Sequence, residues 1–218
     1  MPDLASIVDQ IVDARKAAGA ERSVLVAITG IDGCGKGFIT ARIAEALKAK
    51  GLRVANINID GWLNLPIRRF SKSEPAEHFY LHAIRFDELF SQLILPLRDG
   101  RSLHLEADYA EETATSFRRQ VYDFTDVDII LLEGIYLLKR AFQSYYDLAF
   151  WIDCSEHTAL ARAIARSQEG LSPAATARAY WTIYFPAQEI HLRRDDPRSA
   201  ATSILNNDAR LGPTSWGG

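Results

Sequence analysis

An α/β fold built on a parallel sheet is what the sequence predicts, and three observations predict it. Short continuous apolar runs alternate with stretches of helical periodicity, a glycine-rich loop sits between the first strand and the next helix, and acids punctuate the ends of later strands. In such a sheet all the carboxyl ends face one way, so ligands collect there. The chain has 218 residues, 48% of them hydrophobic, enough for one sizeable core, and no stretch demands a second domain. A single domain over residues 1–210 is therefore expected, with residues 211–218, which include GPTSWGG, as a loose tail.

The elements follow in order. Leu4, Ile7, Val8, Ile11 and Val12 recur at helical spacing, so residues 1–20 carry an amphipathic helix that ends near Gly19. Ser23 to Thr29 (SVLVAIT) is a β-branched run of the kind buried on both faces of a parallel sheet, and Gly30 stops it. Phe38, Ile39, Ile43, Ala46 and Leu47 mark one face of a helix from Lys36 to Lys50, closed by Gly51. A second strand, Arg53 to Ile59, completes a βαβ unit. A long helix is expected from about Pro75 to Leu97, then a strand from Ser102 to Glu106 and a polar loop, DYAEETATSFRR. Further strands are read at Asp128 to Gly134, Leu148 to Asp153 and Thr202 to Asp208, with helices at roughly 156–167 and 173–194 between them.

Composition removes some classes of function. A formal net charge of -3 gives no basic footprint for nucleic acid or an anionic membrane, and no apolar run approaches the roughly 20 residues that span a bilayer. Two cysteines, and a beginning (MPDLASIVDQIVDARK) that alternates charge with apolar residues, point to a cytoplasmic protein. The five histidines are scattered without metal-ligand spacing. A small-molecule partner is expected, with no nucleic acid and no membrane, and self-association into a homo-oligomer is left open.

The chemistry concentrates at three strand ends. The loop GIDGCGKG runs from Gly30 to Gly37, between a strand and a helix, the context that a phosphate-binding loop requires. Gly30, Gly33 and Gly35 let the backbone approach a polyphosphate, Lys36 supplies a cation for the outer phosphates, and the helix start adds its positive end. Ile31, Asp32, Cys34 and Phe38 complete the set of expected nucleotide contacts. The usual pattern ends in Ser or Thr, whose hydroxyl holds magnesium; here it ends in Gly37. Thr40, one turn on, is either a substitute or a helix-lining residue. Cys34, beside Lys36 and a helix start, sits where a thiol's pKa can fall. The second strand runs NINID into Asp60, a carboxylate at a strand end across from the loop, placed to act as a general base or to cap the following loop. IILLEG places Glu133 after four apolar residues, an acid best explained by facing the site on the metal side.

With GIDGCGKG, NIDGW, IRFDEL, LLEGIY, WIDCSEHTALARAIAR and YFPAQEIHL in this order, residues 22 to 208 resemble the uridine kinase and phosphoribulokinase family of P-loop kinases. The resemblance implies a P-loop NTPase three-layer sandwich with a mostly parallel five-stranded sheet flanked by helices. It also implies ATP with Mg2+ as donor and a small hydroxyl compound as acceptor. Asp60 would be the base, Lys36 a phosphate cation and Glu133 the metal-side acid. Phe86 and Asp87 resemble the pair that contacts the acceptor; otherwise Phe86 is core and Asp87 exposed. Arg162 and Arg166, within a lid region at 156–180, resemble arginines that cover the transferring phosphate, or they lie on a solvated face. The lid then reads SQEGLSP, without a further arginine cluster, and LEADYAEETATSFRR has no secure pyrimidine-recognition residues. Arg68, Arg69 and Lys72 either grip an anion or lie in a solvated loop, and Tyr180, Trp181, Tyr184 and Phe185 read as a packed helix face or a ligand platform. Two other readings stand beside the kinase. One is a catalytically weakened nucleotide-binding regulatory homologue, motivated by Gly37 and the reduced lid. The other is a nucleoside-monophosphate kinase such as thymidylate kinase, against which LLEG lacks that family's acid-arginine pair.

Overall fold

Five strands lie side by side in the order β2-β5-β1-β6-β7, each pair parallel, in a computed structural model that describes residues 3–166 and 170–211. They are β1 (Val24–Gly30), β2 (Val54–Asn58), β5 (Ile129–Gly134), β6 (Leu148–Asp153) and β7 (Ser203–Asn206). β1 is buried along its whole length and so are the first four residues of β5, as central strands covered on both faces must be. That arrangement is the parallel α/β sheet expected from the sequence, with every carboxyl end on one edge. The tail at residues 212–218 and the lid residues Ser167 to Glu169 lie outside the described residues.

The helices α1 (Leu4–Ala17) and α2 (Lys36–Ala49) pack together beside β1 and β2. Asp3 caps α1 by accepting from the Ser6 N–H at 2.8 Å, and Ile7, Val8 and Ile11 form its buried stripe. Short turns α3 (Pro66–Arg69) and α4 (Pro75–His82) follow β2, and a longer helix, α5, runs over residues 86–100 with a π-helical turn at Leu89–Ile94. On the other side, α6 (Glu156–Arg166) and α7, over residues 173–195 with a second π turn at Tyr180–Tyr184, precede the single turn α8 (Pro197–Ala200) and β7. No helix among the described residues is long and apolar enough to cross a membrane.

Two expectations are corrected here. The helix read from Pro75 to Leu97 is two helices, because residues 83–85 leave the helical path to pair with the segment after β2. Asn64 N–H donates to Ala83 O, Arg85 N–H donates to Trp62 O at 2.9 Å, and Leu63 bridges Ile84. The strand read at Ser102 to Glu106 exists, but outside the sheet. β3 (Leu103–Tyr109) pairs antiparallel with β4 (Arg118–Phe124), so the polar loop DYAEETATSFRR keeps its middle, residues 110–117, as the hairpin connection and gives its first two residues to β3 and its last two to β4.

That hairpin braces the turn after β2. Trp62, fully buried, stacks on Tyr122 with ring centroids 5.9 Å apart and bridges Ala110, while the Arg85 guanidinium lies over Trp62 and Phe117. From below, the turn is set by Gly134, where a Cβ would stand 2.2 Å from Cγ1 of the fully buried Ile59. Gly134→Ala is therefore expected to lower stability by about 1–3 kcal/mol, an overpacking cost. Urea unfolding of the purified variant measures it, and a midpoint equal to wild type would mean that Ile59 swings aside freely.

Candidate active site

A cavity of about 370 Å³ opens at the carboxyl edge of the sheet, lined by the phosphate loop, Asp60, Glu133 and a wall of aromatic side chains. The loop supplies its floor. Gly33 and Gly35 take φ of 77° and 91°, in the left-handed region, and a Cβ at Gly35 would lie 2.4 Å from Asn207 Nδ2. Gly35 is also the N-cap of α2, so the helix dipole points into the loop. Among the expected contacts, Asp32, Gly33, Gly35, Lys36, Gly37 and Phe38 line the cavity. Gly30, Ile31 and Cys34 lie behind it and are buried.

Lys36 is 7% exposed, and its Nζ donates to Ile31 O at 2.9 Å. Burial works against its charge, but the neighbouring Cys34, Asp32, Glu133 and Asp60 outweigh that and hold the ammonium above its ordinary pKa. For Cys34 the expectation of a lowered pKa is overturned: the thiol is fully buried, and burial pushes it up despite the nearby Lys36 cation. Thr40 turns back onto its own helix, its Oγ1 donating to Lys36 O at 2.9 Å, and is the helix-lining residue of the two alternatives.

The two acids meet across this loop. In the register of the sheet, Glu133 lies opposite Ile28 of β1 and Asn58 of β2. Asn58, which sequence reasoning passed over, ties the acids together: its Oδ1 accepts from the Asp60 N–H at 2.7 Å and its Nδ2 donates to Glu133 Oε2 at 3.4 Å. The signal for it was present in NINID, since Asn before a turn offers this cap. Asp60 exposes its carboxylate to the cavity while protein surrounds it on the other sides. Desolvation pushes its pKa up, opposed by Lys36; Glu133 is raised in the same way, by desolvation first, with Lys36 opposing and Asp60 adding to it.

The same acids decide whether a divalent cation fits. Among the described residues no group of three or more His, Cys, Asp or Glu could cage a metal by itself. A Cβ at Gly37 would stand 3.5 Å from Glu133 Oε2 and 3.8 Å from Oε1, so the carboxylate lies against the place where the usual hydroxyl would be. Two carboxylates lining the same cavity as the phosphate cradle, one of them against the Gly37 position, suit a hard cation that keeps several waters and takes its other oxygens from phosphates. Gly37→Ser fits sterically, at ordinary contact distance. It is expected to lower, by several-fold, the magnesium concentration needed for half-maximal ATP turnover. A magnesium titration of both proteins checks this, and unchanged dependence would show that Glu133 already fills the position.

The two arginines expected in a lid separate. Arg166 lines the cavity, with Nη2 3.8 Å from Asp32 Oδ1. Arg162 does not: its Nη1 donates to Cys34 O at 3.1 Å and its Nη2 to Asn207 O at 2.9 Å, while Asn207 Nδ2 donates to Cys34 O at 2.7 Å. Arg162 thus fastens the back of the phosphate loop to the segment after β7. Tyr180 donates its hydroxyl to Asp32, so α7 also grips the loop.

Phe86 and Asp87 fall outside the cavity. Phe86 is buried against Phe142, with centroids 5.2 Å apart, and Asp87 is exposed; both line a separate recess with His78, His82 and Lys139. This is the core-and-surface alternative, and the break at residues 83–85 is its cause. Phe79, on the preceding helix, takes the place in the cavity wall and packs on Tyr184 at 5.0 Å. Tyr136, Tyr180, Tyr184 and Gln188 complete that wall. Of the basic cluster, Arg69 is 4% exposed and lines the cavity, donating to Glu112 O of the hairpin connection, whereas Arg68 lines the outer recess.

Comparisons with known proteins agree with this geometry. Among solved structures, a possible uridine kinase from Bacillus stearothermophilus superposes with a TM-score of 0.68 at 17% identity, covering 92% of this chain and 98% of that one. D-glycerate 3-kinase from Cryptococcus neoformans var. grubii superposes with a TM-score of 0.60 at 13% identity, covering 94% of each chain. At these identities the likeness shows the fold. No curated protein matches the sequence. The profile of the Phosphoribulokinase / Uridine kinase family matches residues 25–170, a span that holds the phosphate loop, Asp60 and Glu133, and the chain belongs to that family of P-loop kinases.

Proposed function

We propose that the protein is an ATP-dependent phosphotransferase that moves the terminal phosphoryl group of ATP, with Mg2+, to a hydroxyl of a small molecule. The observation that carries this reading is the convergence of one cation and two acids on one cavity: Lys36, Asp60 and Glu133 come from three strand ends and influence one another's ionisation. The loop backbone and Lys36 would hold the phosphates, and Arg166 would reach their outer charge. Asp60 would orient the acceptor hydroxyl and take its proton as the oxygen attacks. When bound, magnesium would neutralise charge on the phosphate oxygens, with Glu133 holding it directly or through water.

A regulatory homologue that only binds nucleotide is the second reading, favoured by Gly37, which supplies no metal-binding hydroxyl. Magnesium-dependent conversion of ATP to ADP, measured against an acceptor series of nucleosides, nucleotides, sugars and hydroxy acids, separates the two. Stoichiometric appearance of a phosphorylated acceptor is expected. ATP binding without turnover on any acceptor would leave the regulatory reading in possession.

A further inference from the structure

Behind the cavity wall lies the outer recess, of about 720 Å³, which phosphoryl transfer leaves unused. No described residue lines both. The helix α4 divides them: its Phe79 lines the catalytic cavity, whereas His78, Leu81 and His82 line the recess. The turn α3 divides in the same way, sending Arg69 to the cavity and Arg68 to the recess.

Apolar side chains form much of the recess. Phe86 and Ile84 are buried in it beside Phe142, while Ile67, Leu81 and Phe70 stand at its rim, 87%, 47% and 38% exposed. Large apolar groups left in water together mark a surface that something covers. A concave, mostly apolar wall of this volume with a few charged groups is the ordinary make-up of a small-ligand site.

The charged groups say which kind of ligand. Lys139 is half-buried, with Nζ donating to Tyr80 O at 2.7 Å and lying 4.2 Å from the Tyr80 ring centroid and 5.3 Å from that of Phe86. Among the described residues, no carboxylate forms an ion pair with Lys139 or Arg68. Burial holds the Lys139 ammonium down to about 8, against the more distant pull of Asp195 and Asp87. His82 is likewise lowered, by burial first and then by His78, Arg68 and Lys139, so three basic groups act on one point of the recess. Of the two acids on its wall, Glu88 is paired with Arg85 at 2.6 Å. Two unpaired cations therefore face one unpaired acid, Asp87.

We propose that the recess binds a small amphipathic anion, its carboxylate or phosphate head held by Lys139 and Arg68 and its apolar body lying over Phe86 and Phe142 and covering the rim at Ile67 and Phe70. The head supplies the counter-ion that the protein does not, and Lys139 has N–H groups left for it beyond the one given to Tyr80 O. The body takes apolar surface out of water. An inorganic anion would leave the rim exposed, and a neutral amphiphile would leave the cations unpaired. The site stands whether or not the cavity transfers phosphate.

The test is calorimetric titration of the full chain with sodium octanoate and with monooctyl phosphate below its micellar concentration, beside acetate, inorganic phosphate and 1-octanol. At least one octyl anion is expected to bind one site per chain, about tenfold or more tighter than any of the other three. If only one binds, that identifies the head. Lys139→Met, which keeps the aliphatic stem, should weaken binding roughly tenfold or more, and Arg68→Gln and Ile67→Ser, both at exposed positions, several-fold each. Should Lys139→Met fail to fold, the two surface variants decide. A saturating nonhydrolysable ATP analogue should leave the affinity unchanged, because the two sites share no residue. No saturable binding of either octyl anion overturns the proposal, as does binding that the variants keep, equal binding of acetate or 1-octanol, or displacement by the ATP analogue. Sedimentation with phosphatidylglycerol vesicles in the absence of binding to the soluble octyl anions also overturns it, and makes this face a membrane contact.

Discussion

Asp60→Asn is expected to lower phosphoryl transfer by at least about a hundredfold while ATP affinity changes little, because a positioned general base contributes roughly a hundredfold to ten-thousandfold. Asparagine keeps the shape and hydrogen-bonding capacity of the side chain and removes the charge that draws the acceptor's proton. The turn itself should survive, since the Asp60 backbone N–H that donates to Asn58 Oδ1 is kept in the variant. The pH dependence supplies a second readout. Desolvation holds the Asp60 pKa above the ordinary aspartate value, so the wild-type rate should fall on the acid side at a pH higher than an exposed aspartate would give. The base must be ionised, so activity is lost as pH drops through that raised pKa; the asparagine variant should lose this limb of the profile. Rate and ATP affinity are to be measured on one preparation. Near-normal turnover, or ATP binding lost as steeply as turnover, would make Asp60 a structural or metal-side residue.

The parts of the site legible in the sequence are those that strand ends determine. GIDGCGKG, Asp60 and Glu133 each follow an apolar run, and a parallel sheet brings such ends to one edge whatever the intervening helices do. The parts that escaped depend on contacts between distant segments. Nothing in HAIR, residues 82–85, has the glycine or proline that would announce the end of a helix; the break exists because Ala83 and Arg85 find partners at Asn64 and Trp62. Phe86 and Asp87 therefore turn to an outer recess and Phe79 faces the cavity, an exchange invisible to periodicity. β4 was hidden because RRQVYDF is rich in charge and no more than half-buried even on its inner face, where Tyr122 meets Trp62 across the fold. Arg162 and Arg166 stand one turn apart on α6 and look equivalent as sequence. Their roles divide because the carbonyls of Cys34 and Asn207 occupy one of them. Tyr136 and Gln188 stand inside LLEGIY and YFPAQEIHL, but that the Tyr136 hydroxyl and Gln188 Oε1 are buried without a partner among the described residues is a property only of the folded chain.

Lys36→Ala is the second substitution expected to have a large effect, and it tests the cradle independently of Asp60. A cation that meets the outer phosphates through charge-assisted bonds contributes about 1.5–3 kcal/mol per bond, so ATP affinity should fall by roughly tenfold to more than a hundredfold. Burial changes how the result must be read. Lys36 is no exposed loop residue: its Nζ ties Ile31 O, and its charge balances Asp32, Glu133 and Asp60. Removing it leaves those acids facing one another, which should raise the pKa values of Asp60 and Glu133 further and add repulsion against an incoming polyphosphate. Lys36→Met keeps the aliphatic stem and its packing, and separates loss of charge from loss of volume. Calorimetric titration with ATP and urea unfolding are run on both variants. Equal losses of ATP affinity in Ala and Met, with melting behaviour close to wild type in Met, assign the effect to the charge. Unchanged ATP affinity in a folded Lys36→Met protein would remove Lys36 from the phosphate site, leave its bond to Ile31 as a purely structural tie, and take the kinase reading's main cation with it.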